Sequence, residues 1–171
     1  AVGSKSYLKE IIEKFTGETG QASVINVEDM DTQASESEDE TQVYREIKNK
    51  FGIQAVRMEY KPQTMILQRH IIDEIQKKAQ IFYEYKDEVV SYSIYMNEED
   101  SSLGQKESDE IIGKFTVENN KKKIQVTKYQ IKEHEEIGFL AEFEDYGVHY
   151  QLRGVMEQDE FEKILKNLKF F

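Results

Sequence analysis

The chain has 171 residues, enough for one domain whose core needs no cross-links, and its ten Tyr and nine Phe residues can fill that core. It contains no cysteine, which excludes disulfides, thiolate metal sites and a cysteine nucleophile. With 34 acidic and 23 basic residues its formal net charge is −11, so nucleic acid and anionic membrane surfaces are poor candidate partners.

The first third of the chain combines helical patterns with an acidic run. Residues 7–15 carry apolar side chains at helical spacing and predict a short helix, and residues 22–27 predict a short strand. Residues 28–40 hold seven acidic side chains and no basic one, so we expect a solvated loop. The alternative, a cation-binding loop, lacks the oxygen spacing of an EF-hand. A second helix is predicted to begin at Thr41 and to end at Gly52.

From residue 54 onward the apolar period changes to two, which is typical of strands. Pro62 ends the first of these strands, and residues 97–110 are polar and predict a loop. Hairpin turns are expected at residues 86–88 and 145–147. The predicted strands cover residues 54–60, 64–72, 81–85, 90–96, 111–117, 124–131, 138–144 and 148–153.

The chain ends in a predicted amphipathic helix that starts near Glu157. We expect its apolar stripe to pack on one face of the preceding strand. The stripe consists of Phe161, Ile164, Leu165 and Leu168, and the strand face of Val148, Tyr150 and Leu152.

Together these elements predict an α+β fold with a mainly antiparallel sheet of about six to eight strands, covered by N-terminal and C-terminal helices. Segments such as residues 81–83 are apolar on both sides, so we expect helices on both faces of at least part of the sheet. We expect one domain over residues 1–171. Residues 1–50 form a helical extension with the acidic loop, and residues 51–171 form the sheet and the last helix.

No pattern of catalytic or metal-binding residues emerges. His70, His134 and His149 lack the spacing of a zinc site, and residues 134–136 are metal-capable but are expected to be solvated charge. Asp145, near His149, is the best single carboxylate candidate, although we expect it to form a turn. We therefore predict no catalytic residue, no metal and no cofactor.

Tyrosines offer the one candidate for ligand binding. A tyrosine joins a rigid apolar ring to a polar tip and often lines ligand grooves. The more common role of such residues is packing in the core and on the sheet surface, and the sequence leaves both interpretations open. The candidates for a shallow aromatic groove are Tyr83, Tyr85, Tyr92, Tyr95, Tyr146 and Tyr150.

Residues 51–171 resemble a bacterial family, the domain of unknown function 4367, found in Gram-positive species. The segments that carry the resemblance are residues 81–86, 101–104, 143–154 and 160–170. The resemblance implies an exported C-terminal domain of a protein with a single membrane anchor upstream of residue 1, in some cases with an anti-sigma-like arrangement. It implies no catalytic residue. The strand–strand–helix ending is also similar to PsbP-like folds.

The expected function is therefore a non-enzymatic, sensor-type domain outside the cell that binds an unknown protein or a small ligand. One alternative is a hydrolase that uses carboxylates hidden among the surface charges. Another is an intracellular acidic adaptor that binds basic partners through residues 28–40, with an affinity that falls as salt rises.

Overall fold

The computed structural model describes residues 38–97, 109–131 and 135–171 and the backbone of Ser23–Val24. Most of these residues lie in strands, as the change to period two predicts. The helices are α1 (Glu38–Phe51) and α2 (Gln158–Lys166). The strands are β1 (Ser23–Val24), β2 (Arg57–Met58), β3 (Ile66–Asp73), β4 (Lys78–Tyr85), β5 (Glu88–Tyr95), β6 (Asp109–Asn119), β7 (Lys122–Ile131), β8 (Ile137–Asp145), β9 (Val148–Val155) and β10 (Leu168–Lys169).

The main sheet contains, among the described residues, eight strands in the order β1-β3-β4-β5-β9-β8-β7-β6. Every neighbouring pair is antiparallel. Seven of these strands form two meanders, β3–β5 and β6–β9, which join where β5 pairs with β9, and β1 pairs with the outer side of β3. The predicted α+β fold with an antiparallel sheet is confirmed.

Both described helices pack on one side of this sheet, which we call the helix face. Alternating side chains of the strands point toward it, and α1 adds Val43, Ile47 and Phe51 at helical spacing. The result is one continuous core. Its residues from the main sheet are Leu67, Ile72, Ala79, Ile81, Tyr83, Tyr85, Val90, Tyr92, Ile94, Val117, Ile124, Val126, Phe139, Ala141, Phe143, Val148, Tyr150 and Leu152.

The closing helix packs on the helix face, but it lies closest to β6 rather than to the predicted strand β9, and it ends earlier than predicted. Phe161 is fully buried and stacks on Phe139 of β8, with ring centroids 5.3 Å apart. The prediction that Leu168 belongs to the helix is wrong, since this residue begins β10 and pairs with Met58. The Asn119 side chain explains the ending, because its Nδ2 donates to the carbonyls of Leu165 and Leu168 at 2.9 Å each.

Two other boundaries differ from the prediction. Helix α1 begins at Glu38, so residues 38–40 of the predicted acidic loop are helical. Glu40 holds this first turn in place, because its buried carboxylate lies 2.8 Å from the Lys61 ammonium. Of the predicted strand 54–60 only β2 (Arg57–Met58) forms, because its partner β10 has only two residues.

We call the opposite side of the sheet the polar face. Its centre contains buried polar, charged and apolar side chains. Gln80 Nε2 donates to Ser93 Oγ at 2.8 Å, and the Arg153 guanidinium pairs with Asp109. Apolar side chains between them, including Phe82, are equally buried. The helix predicted at residues 7–15 lies outside the described residues, so helices on both faces stay a prediction.

Candidate binding surface

Four of the six candidate tyrosines belong to the core, and three of these are the most deeply buried of the set. Tyr83, Tyr92 and Tyr150 are at most 2% exposed, and each hydroxyl has a partner. Tyr83 donates to Glu40 Oε2 at 3.0 Å and Tyr92 to the Val56 carbonyl at 2.6 Å, while the Tyr150 oxygen accepts from the Val56 amide at 3.2 Å. Ligand contact through these three would require the core to open.

Burial also fixes the protonation state of these phenols. Desolvation raises the pKa of Tyr83 and Tyr92 well above the ordinary value of 10.0, and it raises the pKa of Tyr150 to about 12. The hydroxyls of Tyr83 and Tyr92 therefore remain hydrogen-bond donors that hold α1 and the segment around Val56 against the sheet.

The other three candidates lie at separate places. Tyr85 is buried, and its hydroxyl donates to Glu157 Oε2 at 2.8 Å beside the start of α2. Tyr95 lies on the polar face and stacks on His149, with centroids 5.5 Å apart. Tyr146 stands on the turn between β8 and β9 and is 88% exposed. The structure thus brings Tyr83, Tyr92 and Tyr150 together and leaves only Tyr146 open to solvent.

Tyr146 belongs to one end of the sheet, where three hairpin turns project together. Lys78 pairs with Tyr95, and Tyr95 pairs with His149, so the β3–β4 and β8–β9 turns lie at the same end. Lys122 contacts Asp145 at 2.6 Å, which places the β6–β7 turn there as well. We call residues 74–77, 120–121 and 146–147 together the turn end.

The turn end carries the two most exposed large apolar side chains of the described residues. They are Ile75 and Tyr146, each 88% exposed. The Ile75 turn is held in shape by the buried carboxylate of Asp73, which accepts from the amides of Ile75 and Gln76 at 3.0 Å each. The Ile75 side chain is therefore presented to solvent on a hydrogen-bonded turn and adds nothing to the core.

Tyr146 occupies a turn position at which tyrosine is uncommon. Tyr146 and Gly147 have φ values of 51° and 77°, both left-handed, as a type I′ turn requires. Asn and Gly are the usual residues there, and a bulky side chain is uncommon in this region. The sequence therefore places an aromatic ring where the backbone disfavours one.

Charged and aromatic neighbours support this ring. The Lys122 ammonium pairs with Asp145, and it lies 6.0 Å from the Tyr146 ring centroid and 5.7 Å from that of Phe170. Phe170 in turn meets Phe143 edge to face at 5.6 Å. The predicted role of Asp145 as a turn residue is consistent with this ion pair. The exposed Tyr146 ring is thus supported by packed aromatic side chains and by the Lys122–Asp145 ion pair.

A pair of carboxyl groups lies at the opposite end of the sheet. Glu88 begins β5 and forms a side-chain hydrogen bond with Glu136, the residue before β8. Burial first, and then this bond and the charges of Glu136 and Asp87, raise the pKa of Glu88 to about 7. A carboxyl group with such a pKa can hold or release a proton near neutral pH.

The neighbouring cluster has the opposite electrostatics. Glu157 precedes α2 and accepts from the Lys86 ammonium at 2.6 Å and from the Tyr85 hydroxyl at 2.8 Å. The Lys86 contact, followed by a backbone amide and Tyr85, lowers the pKa of Glu157 to about 2. At this end of the sheet Glu157 is therefore held ionised, whereas Glu88 takes up or releases a proton near pH 7.

Replacing Glu88 by glutamine should remove a pH dependence of stability. The pKa of Glu88 is higher in the folded chain than its ordinary value of 4.5, so its stabilising contribution is full below that value and is lost as pH rises through about 7. We expect Glu88→Gln to match the wild type at pH 4 and to exceed it at pH 8 by about 1 kcal/mol, discounted for partial exposure.

Thermal melting at the two pH values measures this difference. Glu110→Gln, at an exposed carboxyl group, is the matched control and should shift the melting temperature equally at both. A Glu88→Gln variant that is less stable than the wild type at pH 8 would contradict the raised pKa of Glu88.

The remaining sequence candidates are placed as follows. His70 pairs with Glu46 at 3.2 Å, His149 lies on the polar face, and His134 lies outside the described residues. In the described part of the chain no group of three or more His, Asp or Glu side chains could hold a metal ion. No described helix is long and apolar enough to span a membrane.

Sequence reasoning missed Ile75 and Glu88. Ile75 is a single apolar residue between charged and polar ones, and its signal was its position in a turn between two strands. Glu88 gave no signal, because its partner Glu136 comes from a distant part of the chain.

Comparison with known proteins gives one match. A family model described as Domain of unknown function (DUF4367) matches residues 55–168, two thirds of the chain, from the residues before β2 to the start of β10. No curated protein and no solved structure matches the chain. The matched range contains both meanders, the turn end and α2, whereas α1 precedes it.

Proposed function

The chain belongs to the DUF4367 family, and from this premise we propose that it is the non-enzymatic, sensor-type binding domain of a membrane-anchored protein, displayed outside the cell. We further propose that it binds a protein partner through the turn end. The observation that carries this proposal is the pair of apolar tips, Ile75 and Tyr146, each 88% exposed on a rigid turn.

The geometry of the tips favours a protein surface over a small molecule. Three strand spacings separate the β3–β4 turn from the β8–β9 turn, which places the tips about 14 Å apart. A patch of that span fits within the half-interface of a protein complex. Because both turns are already ordered, binding costs little backbone entropy, and aromatic side chains such as Tyr146 commonly dominate interface energy.

A photoreactive phenylalanine analogue tests the surface. It replaces Tyr146 in the full-length protein in its native membrane, and the control carries the same analogue at Asp87. Asp87 is a matched site, because it is also an exposed left-handed turn residue but lies at the other end of the sheet. We expect an adduct of defined mass from position 146 and none from position 87. Equal adducts, or none from position 146, would count against the turn end.

Once the cross-linked partner is identified, Tyr146→Asn measures what the ring contributes. Asparagine suits the left-handed position better than tyrosine, so the variant should fold at least as well as the wild type. We expect it to bind the partner about tenfold or more weakly, as for loss of an aromatic hot spot. Unchanged affinity would assign the binding to other residues.

The proposed location has a separate test. Proteinase added to intact cells should digest this domain of the full-length protein, whereas an intracellular domain would survive until the membrane is broken. A full-length sequence without an upstream export signal or membrane span would also contradict this location.

A second candidate function is a carboxylate-dependent hydrolase. The observation that favours it is the Glu88 carboxyl group, whose pKa is raised to about 7 beside Glu136, as a general acid near neutral pH requires. A hydrolytic activity lost in both Glu88→Gln and Glu136→Gln would replace the binding proposal. The adaptor alternative concerns residues 28–40, most of which lie outside the described residues, and it stays a prediction.

A further inference from the structure

Strand β6 ends the sheet on its side of the described structure. It has eleven residues and pairs with β7, so its outer backbone groups have no neighbouring strand in the described sheet. An open edge of this length is a template for another strand unless something blunts it.

The edge has an irregular and a regular part. The register of β6 against β7 shifts between Ile111 and Gly113, and a bulge of this kind interrupts strand addition. From Gly113 to Asn119 the register is continuous, with every residue opposite one residue of β7. Only these seven residues, which we call the regular edge, present an unbroken ladder.

Side chains on the regular edge alternate between the two faces. Lys114, Thr116 and Glu118 point to the polar face and are exposed. Phe115 and Val117 point to the helix face, where Phe115 is half-buried and meets Phe139 edge to face at 6.3 Å.

We propose that the regular edge pairs with the regular edge of a second copy of this chain, antiparallel and centred on Thr116. The two-fold axis then stands perpendicular to the sheet, so the helices of both copies cover the same face. In this register Lys114 lies opposite Glu118 of the second copy, and Glu118 lies opposite its Lys114. Thr116 lies opposite itself.

This register is distinguished from its neighbours by charge. An axis through Phe115 sets Lys114 against Thr116, and an axis through Val117 sets Glu118 against Thr116, so neither joins opposite charges. Centring on Thr116 creates two symmetric Lys–Glu pairs and a Thr–Thr pair, all of which stabilise antiparallel sheets. It also places Phe115 opposite Val117 of the second copy and extends the apolar helix face across the junction.

The regular edge is therefore self-complementary, as an interface between two copies related by a two-fold axis requires. The inference does not depend on the turn end, because the regular edge and the two apolar tips use different residues. An experiment can therefore contradict the dimer proposal without affecting the proposal for the turn end, and the reverse.

Sedimentation equilibrium of the wild-type chain and a charge swap tests the inference. Lys114→Glu and Glu118→Lys each replace two attractive contacts by two repulsive ones, and we expect each to weaken dimerisation about tenfold or more. The double variant Lys114→Glu/Glu118→Lys restores opposite charges and should return the dimer to within about threefold of wild type. The matched control is Lys121→Glu, an equal charge change at an exposed turn residue outside the regular edge.

Thermal melting of each variant separates folding from assembly. Lys114 lies opposite Thr127, so Lys114→Glu should melt close to the wild type, whereas Glu118→Lys faces Lys123 and should melt slightly lower. A wild-type chain that remains monomeric at millimolar concentration would overturn the inference. So would a dimer that either single variant leaves unchanged, or one that the double variant fails to restore.

Discussion

Replacing Phe161 by alanine is expected to destabilise the fold by about 3–5 kcal/mol. The side chain is fully buried and stacks on Phe139, so its removal loses both apolar burial and an aromatic contact. Because the sheet and α2 are both held in place around Phe161, the core can collapse only partly into the cavity that the substitution leaves. The free energy of unfolding from urea titration measures the loss.

Two further variants keep this prediction testable if Phe161→Ala fails to fold. Phe161→Leu leaves part of the volume filled and should lose less, about 1–2 kcal/mol. Lys166→Ala, at an exposed site on the same helix, should stay within about 0.5 kcal/mol of the wild type. A loss under about 1 kcal/mol for Phe161→Ala would show that α2 is not docked on the sheet.

Replacing Glu40 by alanine is expected to cost about 3–5 kcal/mol, because it leaves the Lys61 ammonium buried without its counter-charge. The Glu40 carboxylate lies 2.8 Å from Lys61 Nζ and accepts from the Tyr83 hydroxyl at 3.0 Å, and the side chains of both partners in the ion pair are at most 3% exposed. Removing one partner of a buried pair costs far more than removing both.

A double replacement tests whether the unpaired charge of Lys61 causes the loss of stability in Glu40→Ala. Glu40→Leu/Lys61→Met removes both charges and keeps the volume, so we expect it to recover most of the loss seen in Glu40→Ala. Urea titration of the two variants and of Lys61→Met alone gives the coupling free energy. If the double variant is as unstable as Glu40→Ala, the buried charge is not the cause of the loss.

The sequence predicted the elements well because period two is a local property. Val90, Tyr92 and Ile94 alternate with polar residues, and the structure places all three on the helix face. The hairpin turn at residues 145–147 followed from turn chemistry in the same way. The last helix was found from its apolar stripe, but its end was not. Its end depends on Asn119, which lies far away in sequence and reaches it only in the folded chain.

The sequence could not place the tyrosines, since a tyrosine suits both a core and a surface. Tyr83 and Tyr92 are buried because Glu40 and the Val56 carbonyl lie where their hydroxyls need partners, and no local pattern shows that. No local pattern marks Lys61 as buried either, since its burial depends on α1, which supplies Glu40 as its partner. Tyr146 was found as a candidate, but its exposure follows from the turn that presents it.

The two-meander topology has a consequence for how the chain reaches this structure. Within each meander every strand pairs with its neighbour in sequence, so those ladders close short loops and can form early. The β5–β9 junction, where Ser91 meets Arg153, must close a long loop and is expected to set the folding rate. Until it closes, two apolar central strands present open edges, and this is when newly made chains are most exposed to aggregation.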